Sequence, residues 1–210
     1  MVDLVTVGVL VLAASLYAAY KLRQKNKALI RALEKAAQQK EAEATSYELP
    51  PQDEKVIEDC KDMLKSEFPL GVAETMKHMN LEDRNKCMER LTMKGGSIMG
   101  VNPVTVQFNE DPQCSGGYCN ENNTITYSLV FLCSDDDIAT SINTVFHELR
   151  HKMQYYAVEK GNPQGYRKEL VRKWMSEFNE YISHIVSPRL YYWQIIERDA
   201  RLFADNIYKA

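Results

Sequence analysis

The chain has 210 residues, of which 45% are hydrophobic and 26% are charged, and its formal net charge at pH 7 is −3. This slightly negative charge gives no electrostatic reason to expect a nucleic-acid partner. The part of the chain from residue 53 onward is long enough for one domain with its own hydrophobic core.

The first feature along the chain is an apolar run at the N-terminus. Residues 4–20 contain no charged side chain and are mostly Val, Leu and Ala, which is near the short limit of the roughly 17 to 25 residues that span a bilayer. Four basic residues follow between positions 21 and 27, and only Asp3 precedes the run. The positive-inside rule then predicts a single-pass membrane protein with residues 1–20 as the transmembrane anchor, the N-terminus outside and the rest of the chain in the cytoplasm.

The alternative for this run is a cleaved secretory signal, because small residues at Ala13–Ser15 offer a cleavage point. The protein would then be exported, and Cys114 and Cys119 could form a disulfide within a hairpin. The basic cluster lies on the wrong side for a signal peptide, which favours the anchor. In a cytoplasmic protein the five cysteines are expected to be free thiols.

Residues 21–52 are expected to form a charged helical stalk that ends in a linker containing Pro50 and Pro51. The remaining segment, 53–210, is predicted to be one domain. It begins with a helical region at 54–68 and a second at 72–93, ahead of a turn at Gly95–Gly96.

Alternating apolar residues then predict strands. Val104, Val106 and Phe108 alternate with polar residues, and a turn follows at 109–112. After a second group of turn residues at 120–123, period-two alternation returns in a run whose apolar members are Ile125, Tyr127, Leu129 and Phe131. These segments predict a small antiparallel sheet.

The most informative motif is His147-Glu148-Leu149-Arg150-His151. Positions four apart on a helix project from the same face, so His147 and His151 can bind one metal ion. Glu148 points elsewhere around the axis and can serve as a general base for a metal-activated water. Acidic residues after Ser134 and the helix stop at 161–163 predict a long helix that holds both histidines in its interior.

A hydrolytic zinc site needs a third protein ligand. The strongest candidate is Glu197, which lies at the edge of a buried helical face downstream. Asp199 and His184 are alternatives.

These residues resemble the gluzincin zinc metallopeptidases, in particular the ImmA/IrrE-like branch and related short proteins of phages and bacteria. That group pairs a His-Glu-x-x-His helix with a later helix reading Glu-x-Asp/Glu-Ala-x-x-Phe-Ala, which here matches Glu197, Asp199, Ala200, Phe203 and Ala204. The resemblance implies that Glu197 is the third zinc ligand and that Asp199 orients a ligand histidine. It also implies that an edge strand, either 116–118 or 124–128, holds a substrate chain by backbone pairing.

Together these observations predict an α+β, zincin-like metallopeptidase domain whose small antiparallel sheet lies beside the metal-binding helix, preceded by a transmembrane helix and a stalk. The expected activity is hydrolysis of a protein or peptide substrate by a Zn²⁺-activated water, with Glu148 as general base. Tyr155, Tyr191 and Tyr192 are candidates for stabilising the oxyanion. The alternative is a non-catalytic binding or assembly protein at the membrane in which a metal only stabilises the fold.

Overall fold

The computed structural model of the chain describes residues 4–209, and between positions 4 and 30 it describes the side chains only of Lys21, Arg23, Gln24, Lys25, Lys27 and Ile30. The chain divides into two compact units, Met1–Thr45 and Ser46–Ala210. In the first unit the described residues form one helix, α1 (Leu4–Thr45).

The N-terminal membrane anchor is a prediction that needs correction. Among the described residues, none of the helices combines the length and the apolar character needed to cross a membrane, which overturns the predicted transmembrane helix and the single-pass location. The apolar run is not a separate segment, because α1 continues from it without a break through the charged residues up to Thr45 as a single helix of 42 residues. The side chains of residues 1–20, on which the anchor and the cleavable signal both depended, lie outside the described residues.

The second unit is mostly helical, which corrects the predicted α+β class. Its helices and strands, in chain order, are α2 (Asp53–Glu67), α3 (Val72–Lys77), α4 (Leu81–Ile98), β1 (Thr105–Asn109), β2 (Gly116–Cys119), β3 (Thr124–Ser128), α5 (Leu129–Cys133), α6 (Ile138–Glu159), α7 (Lys168–Asn179), α8 (Pro188–Tyr192) and α9 (Ile195–Ile207).

The sheet is mixed rather than antiparallel. Its strand order is β1-β3-β2, with β1 parallel to β3 and β2 antiparallel to β3. The two strands that the sequence predicted to be antiparallel are β1 and β3, and they pair in parallel instead. Antiparallel pairing joins β2 to β3, and in the turn between them Asn123 adopts a left-handed conformation with φ of 54°. The loop before β2 carries the chain to the other side of β3, so β1 cannot pair with β2. The order leaves β2 at an edge and makes β3 the central strand.

The last strand is shorter than its apolar alternation predicts. β3 ends at Ser128, and Leu129 and Phe131 belong to the short helix α5. Leu132 of that helix is fully buried. A short run of apolar residues can fit a strand or a buried helix, and here packing favours the helix beyond Ser128.

The region predicted as one helix over 72–93 is two helices, α3 and α4. Asn80 begins α4, because its side chain accepts a hydrogen bond of 3.0 Å from the Asp83 N–H. Gly95 and Gly96 lie inside α4 instead of ending it. A Cβ atom on Gly95 would stand 2.9 Å from Leu149 Cδ1, so the glycine allows α4 to approach α6 closely.

Helix α6 is the centre of the second unit. It packs against α4, α7, α9 and the sheet. Its side chains Ile142, Val145, Phe146 and Leu149 are completely buried, as is Phe203 of α9. Full burial of such side chains contributes about 1.5–3 kcal/mol each, so α6 and α9 are held rigidly together.

Candidate metal centre

Helix α6 brings the two histidines of the motif together. His147 and His151 are one turn apart, and their Nε2 atoms lie 3.0 Å from each other. Their rings are nearly perpendicular, with 4.7 Å between centroids. Both Nε2 atoms therefore point to the same place, as ligands of one ion would.

Glu197 comes to the same place from the first turn of α9. Its Oε2 lies 3.4 Å from His147 Nε2, and its Oε1 lies 3.4 Å from His151 Nε2. The side chain is 1% exposed, and Oε2 accepts no hydrogen bond although it is buried. An unsatisfied buried carboxylate oxygen beside two imidazole nitrogens is a donor set that a cation would complete.

Within the described part of the chain, His147, His151 and Glu197 form the one group of three or more histidine, cysteine or acidic side chains that could hold a metal ion. The structure does not add His184 to that group: this exposed residue lines the same cleft and lies against the ring of Tyr191 at 5.9 Å between centroids. Asp199 also stays outside it, since its carboxylate contacts Arg150, Gln154 and Tyr47.

Gln154 sets the protonation of His151. The Gln154 amide nitrogen donates to the Ile196 carbonyl at 3.0 Å and to the Asp199 carboxylate, so its oxygen must face His151 Nδ1, at 3.0 Å. That oxygen can only accept, and His151 therefore carries its proton on Nδ1. In the neutral form of His151, the Nε2 lone pair is then available to a metal ion. Asp199 thus acts on the histidine through Gln154 rather than directly.

The charge states of His151 and Glu197 depend on each other. Burial lowers the pKa of His151, but the adjacent Glu197 carboxylate outweighs this and the pKa rises to about 9. Burial in turn raises the pKa of Glu197, but the charge of His151 and the close approach of both imidazoles, at 3.4 Å, overcome it and leave that pKa well below its usual range. Without a metal ion, the carboxylate and a protonated imidazole stabilise each other.

The three residues lie in a cleft of about 550 Å³. Glu148 lines the same cleft and is nearly buried. The edge strand β2 contributes residues 116–119 to its wall, whereas β3 is paired on both sides and has no free backbone edge. Of the two strands suggested for pairing with a substrate, 116–118 is thus at an open edge and 124–128 is not.

The tyrosines proposed for the oxyanion differ in position. Tyr155 and Tyr191 line the cleft, while Tyr192 is absent from its lining and packs its ring under the Arg201 guanidinium, 4.0 Å away. Tyr181 was not predicted, yet its hydroxyl donates to Glu197 Oε1 at 2.8 Å. Burial and the Glu197 charge raise the pKa of Tyr181, so it remains a protonated donor.

Arg150, inside the motif, connects the helices that carry the site. Its guanidinium is fully buried and makes paired hydrogen bonds to Asp53, at 2.7 and 3.0 Å, and to Asp199, at 2.7 and 2.9 Å. Tyr166 accepts from the same guanidinium at 2.9 Å, and Tyr47 donates to Asp199. This network, which we call the Arg150 network, ties α2, α6 and α9 together.

Sequence reasoning missed Gln154 and the Arg150 network, although signals for both exist. Gln154 follows His151 by three positions and so shares its face of the helix. Arg150 follows Phe146 by four and precedes Met153 by three, which places a charge on the buried stripe. A charge on such a stripe indicates a buried ionic partner.

Comparison with known proteins adds no relative: no family model, curated protein or solved structure matches this chain. The geometry of the centre and its sequence motifs are therefore the basis for assigning a function.

Proposed function

We propose that this protein is a zinc-dependent peptidase of the gluzincin type. The observation that carries the proposal is the meeting of His147 Nε2, His151 Nε2 and a Glu197 carboxylate oxygen in a cleft that also contains Glu148. Two imidazoles and one carboxylate with an open fourth position are the ligand set of catalytic zinc in peptidases. The resemblance of both helical motifs to the ImmA/IrrE-like group supports the same activity.

His147, His151 and Glu197 would hold the zinc ion, which would act as a Lewis acid: it would lower the pKa of a bound water molecule to about 7 and polarise the scissile carbonyl. Glu148 accepts the proton of the attacking water on its carboxylate and passes it to the leaving amine nitrogen. Tyr181 and Gln154 hold Glu197 and His151 in place. The free edge of β2 offers backbone groups that can pair with an extended substrate.

The metal site is tested by measuring zinc content in the purified protein by elemental mass spectrometry. We expect about one zinc per chain in the wild type and a large loss in Glu197→Ala, because that change removes one of three ligands. Asp205→Ala is the matched control, since Asp205 is an exposed acid on the same helix that bonds Asn143 at 3.0 Å outside the cleft. Equal zinc in Glu197→Ala and wild type would reject the ligand assignment.

Catalysis is tested separately with Glu148→Gln. This variant should keep its zinc and lose peptide cleavage by about a hundredfold or more, because general-base catalysis contributes roughly 10²–10⁴-fold. Asp205→Asn is the control, because Asp205 is an exposed acid of α9 that lies outside the cleft. Wild-type zinc content without cleavage of any peptide in a diverse library would favour a binding protein with a stabilising metal.

A further inference from the structure

One wall of the cleft consists of aromatic rings from three different elements. Tyr155 of α6 stacks on Phe178 of α7 with 3.7 Å between ring centroids and 19° between planes. Tyr118 of β2 meets Tyr155 edge-on at 5.8 Å. We call these three residues the aromatic wall. All three are half-buried and line the cleft, so part of each ring remains accessible from it.

The aromatic wall adjoins the metal centre directly. Tyr155 follows His151 by four residues and therefore projects from the same face of α6, one turn further along. A peptide whose carbonyl lies at the metal would place a neighbouring side chain against this wall.

The chemistry of the wall differs from that of the other tyrosines in the cleft. The Tyr181 hydroxyl is directed at Glu197, whereas the Tyr118 hydroxyl donates to Asn120 at 3.1 Å. Phe178 has no polar atom. The wall therefore presents mainly ring carbon, and ring faces favour offset or edge-on contact with a further aromatic ring.

Charge near the wall also selects among side chains. Two acidic groups lie near the wall. Glu121 lines the cleft, and Glu159 is close enough to Tyr118 that its charge, together with burial, raises the pKa of that tyrosine. These carboxylates would repel an acidic side chain of a peptide. The Asn120 side-chain amide donates a hydrogen bond of 2.6 Å to the Glu159 carboxylate and so fixes its position.

We propose that the aromatic wall is a specificity subsite that binds an aromatic side chain of a peptide adjacent to the bond at the metal centre. This inference rests on the proposed function and adds the class of substrate to it. An aromatic residue gains stacking on Tyr155 and Phe178 that an alanine cannot gain, and an acidic residue meets like charge.

The test uses the zinc-loaded full chain and four N-acetyl amino acid hydroxamates, with phenylalanine, alanine, lysine or glutamate side chains. The hydroxamate binds zinc in all four, so differences in dissociation constant measured by calorimetry report the side chain alone. We expect the phenylalanine compound to bind about tenfold tighter than the alanine compound and the glutamate compound to bind weakest. Phe178→Leu, which keeps apolar bulk but removes the ring, should reduce the preference for phenylalanine to about twofold with unchanged zinc content.

Phe108→Leu is the matched control, a half-buried phenylalanine of β1 that packs on Tyr127 and is not part of the cleft. It should keep the full preference. Equal binding of the phenylalanine and alanine compounds would contradict the subsite. So would tighter binding of the lysine compound than of the phenylalanine compound. Neither result would contradict the metal centre, since the hydroxamate would still bind. Failure of all four compounds to bind would overturn the proposed function together with it.

Discussion

At the scale of single residues, His151 links zinc binding to pH. Zinc requires the neutral imidazole, but with no metal bound the pKa of His151 is raised from 6.5 to about 9, because the neighbouring Glu197 outweighs burial. In that state the protonated histidine stabilises the fold, fully below pH 6.5 and progressively less as the pH rises through about 9. A zinc ion bound at Nε2, as proposed, would have to displace this proton.

We therefore expect the apparent affinity for zinc to rise with pH by up to about tenfold per unit below pH 9, and to level off above it. Calorimetry at pH 7 in two buffers with different ionisation enthalpies should show release of about one proton per zinc. An affinity that stays constant between pH 6.5 and 8.5 would contradict the assignment of His151 as a ligand.

Gln154 is the residue through which the protein orients His151. Gln154→Leu removes the acceptor of the Nδ1–H group at 3.0 Å and leaves that proton without a partner. Loss of such an orienting contact lowers metal affinity by about 10- to 100-fold. Competition with a chelator of known affinity measures this change.

Asn143→Leu is the control for that substitution, because it also removes polar contacts of α6, here to Asp205 and to the Tyr208 carbonyl at 2.7 Å, but away from the ligands. Its zinc affinity should equal that of the wild type. If both variants lose affinity alike, Gln154 acts only through general stability.

The meeting of His147 and His151 could be predicted because their geometry is local: a spacing of four along a helix decides it. The contact of Glu197 with them could not be derived in this way, since it depends on how α9 packs against α6. Tyr181 comes from a segment without regular structure, and no periodicity indicates where its hydroxyl points. Local rules thus identify residues on one helix, and tertiary packing decides which others join them.

At the scale of elements, the same limit explains the sheet. The β2–β3 hairpin was predictable from its turn residues, but the parallel pairing of β1 with β3 joins segments about twenty residues apart, Val106 with Ile125, that no local signal relates. The end of β3 at Ser128 likewise depends on the burial of Leu132 in the helix that follows. The bounds of α2 were predicted closely, at 54–68 against the observed Asp53–Glu67, because its apolar periodicity is local.

The Arg150 network predicts how the elements depend on one another. Asp53→Ala removes one of the two carboxylates paired with a guanidinium that is 0% exposed, at 2.7 Å. Breaking a buried ion pair in this way costs about 3–5 kcal/mol of folding free energy. Urea denaturation in the presence of a chelator should show this loss, with α2 no longer tied to α6.

The control on the same helix is Asp59→Ala. Asp59 pairs with Lys55 at 2.9 Å, and both side chains are largely exposed, so its removal should cost less than about 1 kcal/mol. A small effect of both substitutions would mean that the Arg150 network does not govern stability.

At the scale of the whole molecule, every residue of the candidate centre belongs to the unit Ser46–Ala210. Tyr47 lies at the very start of this unit and donates to Asp199, whose other oxygen accepts from Gln154. A chain of hydrogen bonds thus runs from the first residues of the unit through Asp199 and Gln154 to His151. Residues that contact the centre through hydrogen bonds therefore occur before the first helix of the unit, α2, which starts at Asp53.

We therefore expect the fragment 46–210 to unfold in one cooperative transition and to bind zinc like the full chain, because it contains the core and the ligands. Within this fragment, Tyr47→Phe should lower the free energy of unfolding by about 1–3 kcal/mol, since it takes a donor away from a buried carboxylate. Tyr156→Phe is the control, a half-buried tyrosine of α6 at the rim of a separate cavity. Equal stability of the two variants in urea denaturation would show that the unit does not need the Tyr47 hydroxyl. A loss of stability confined to Tyr47→Phe would show that the folded unit includes the residues before Pro50 and Pro51.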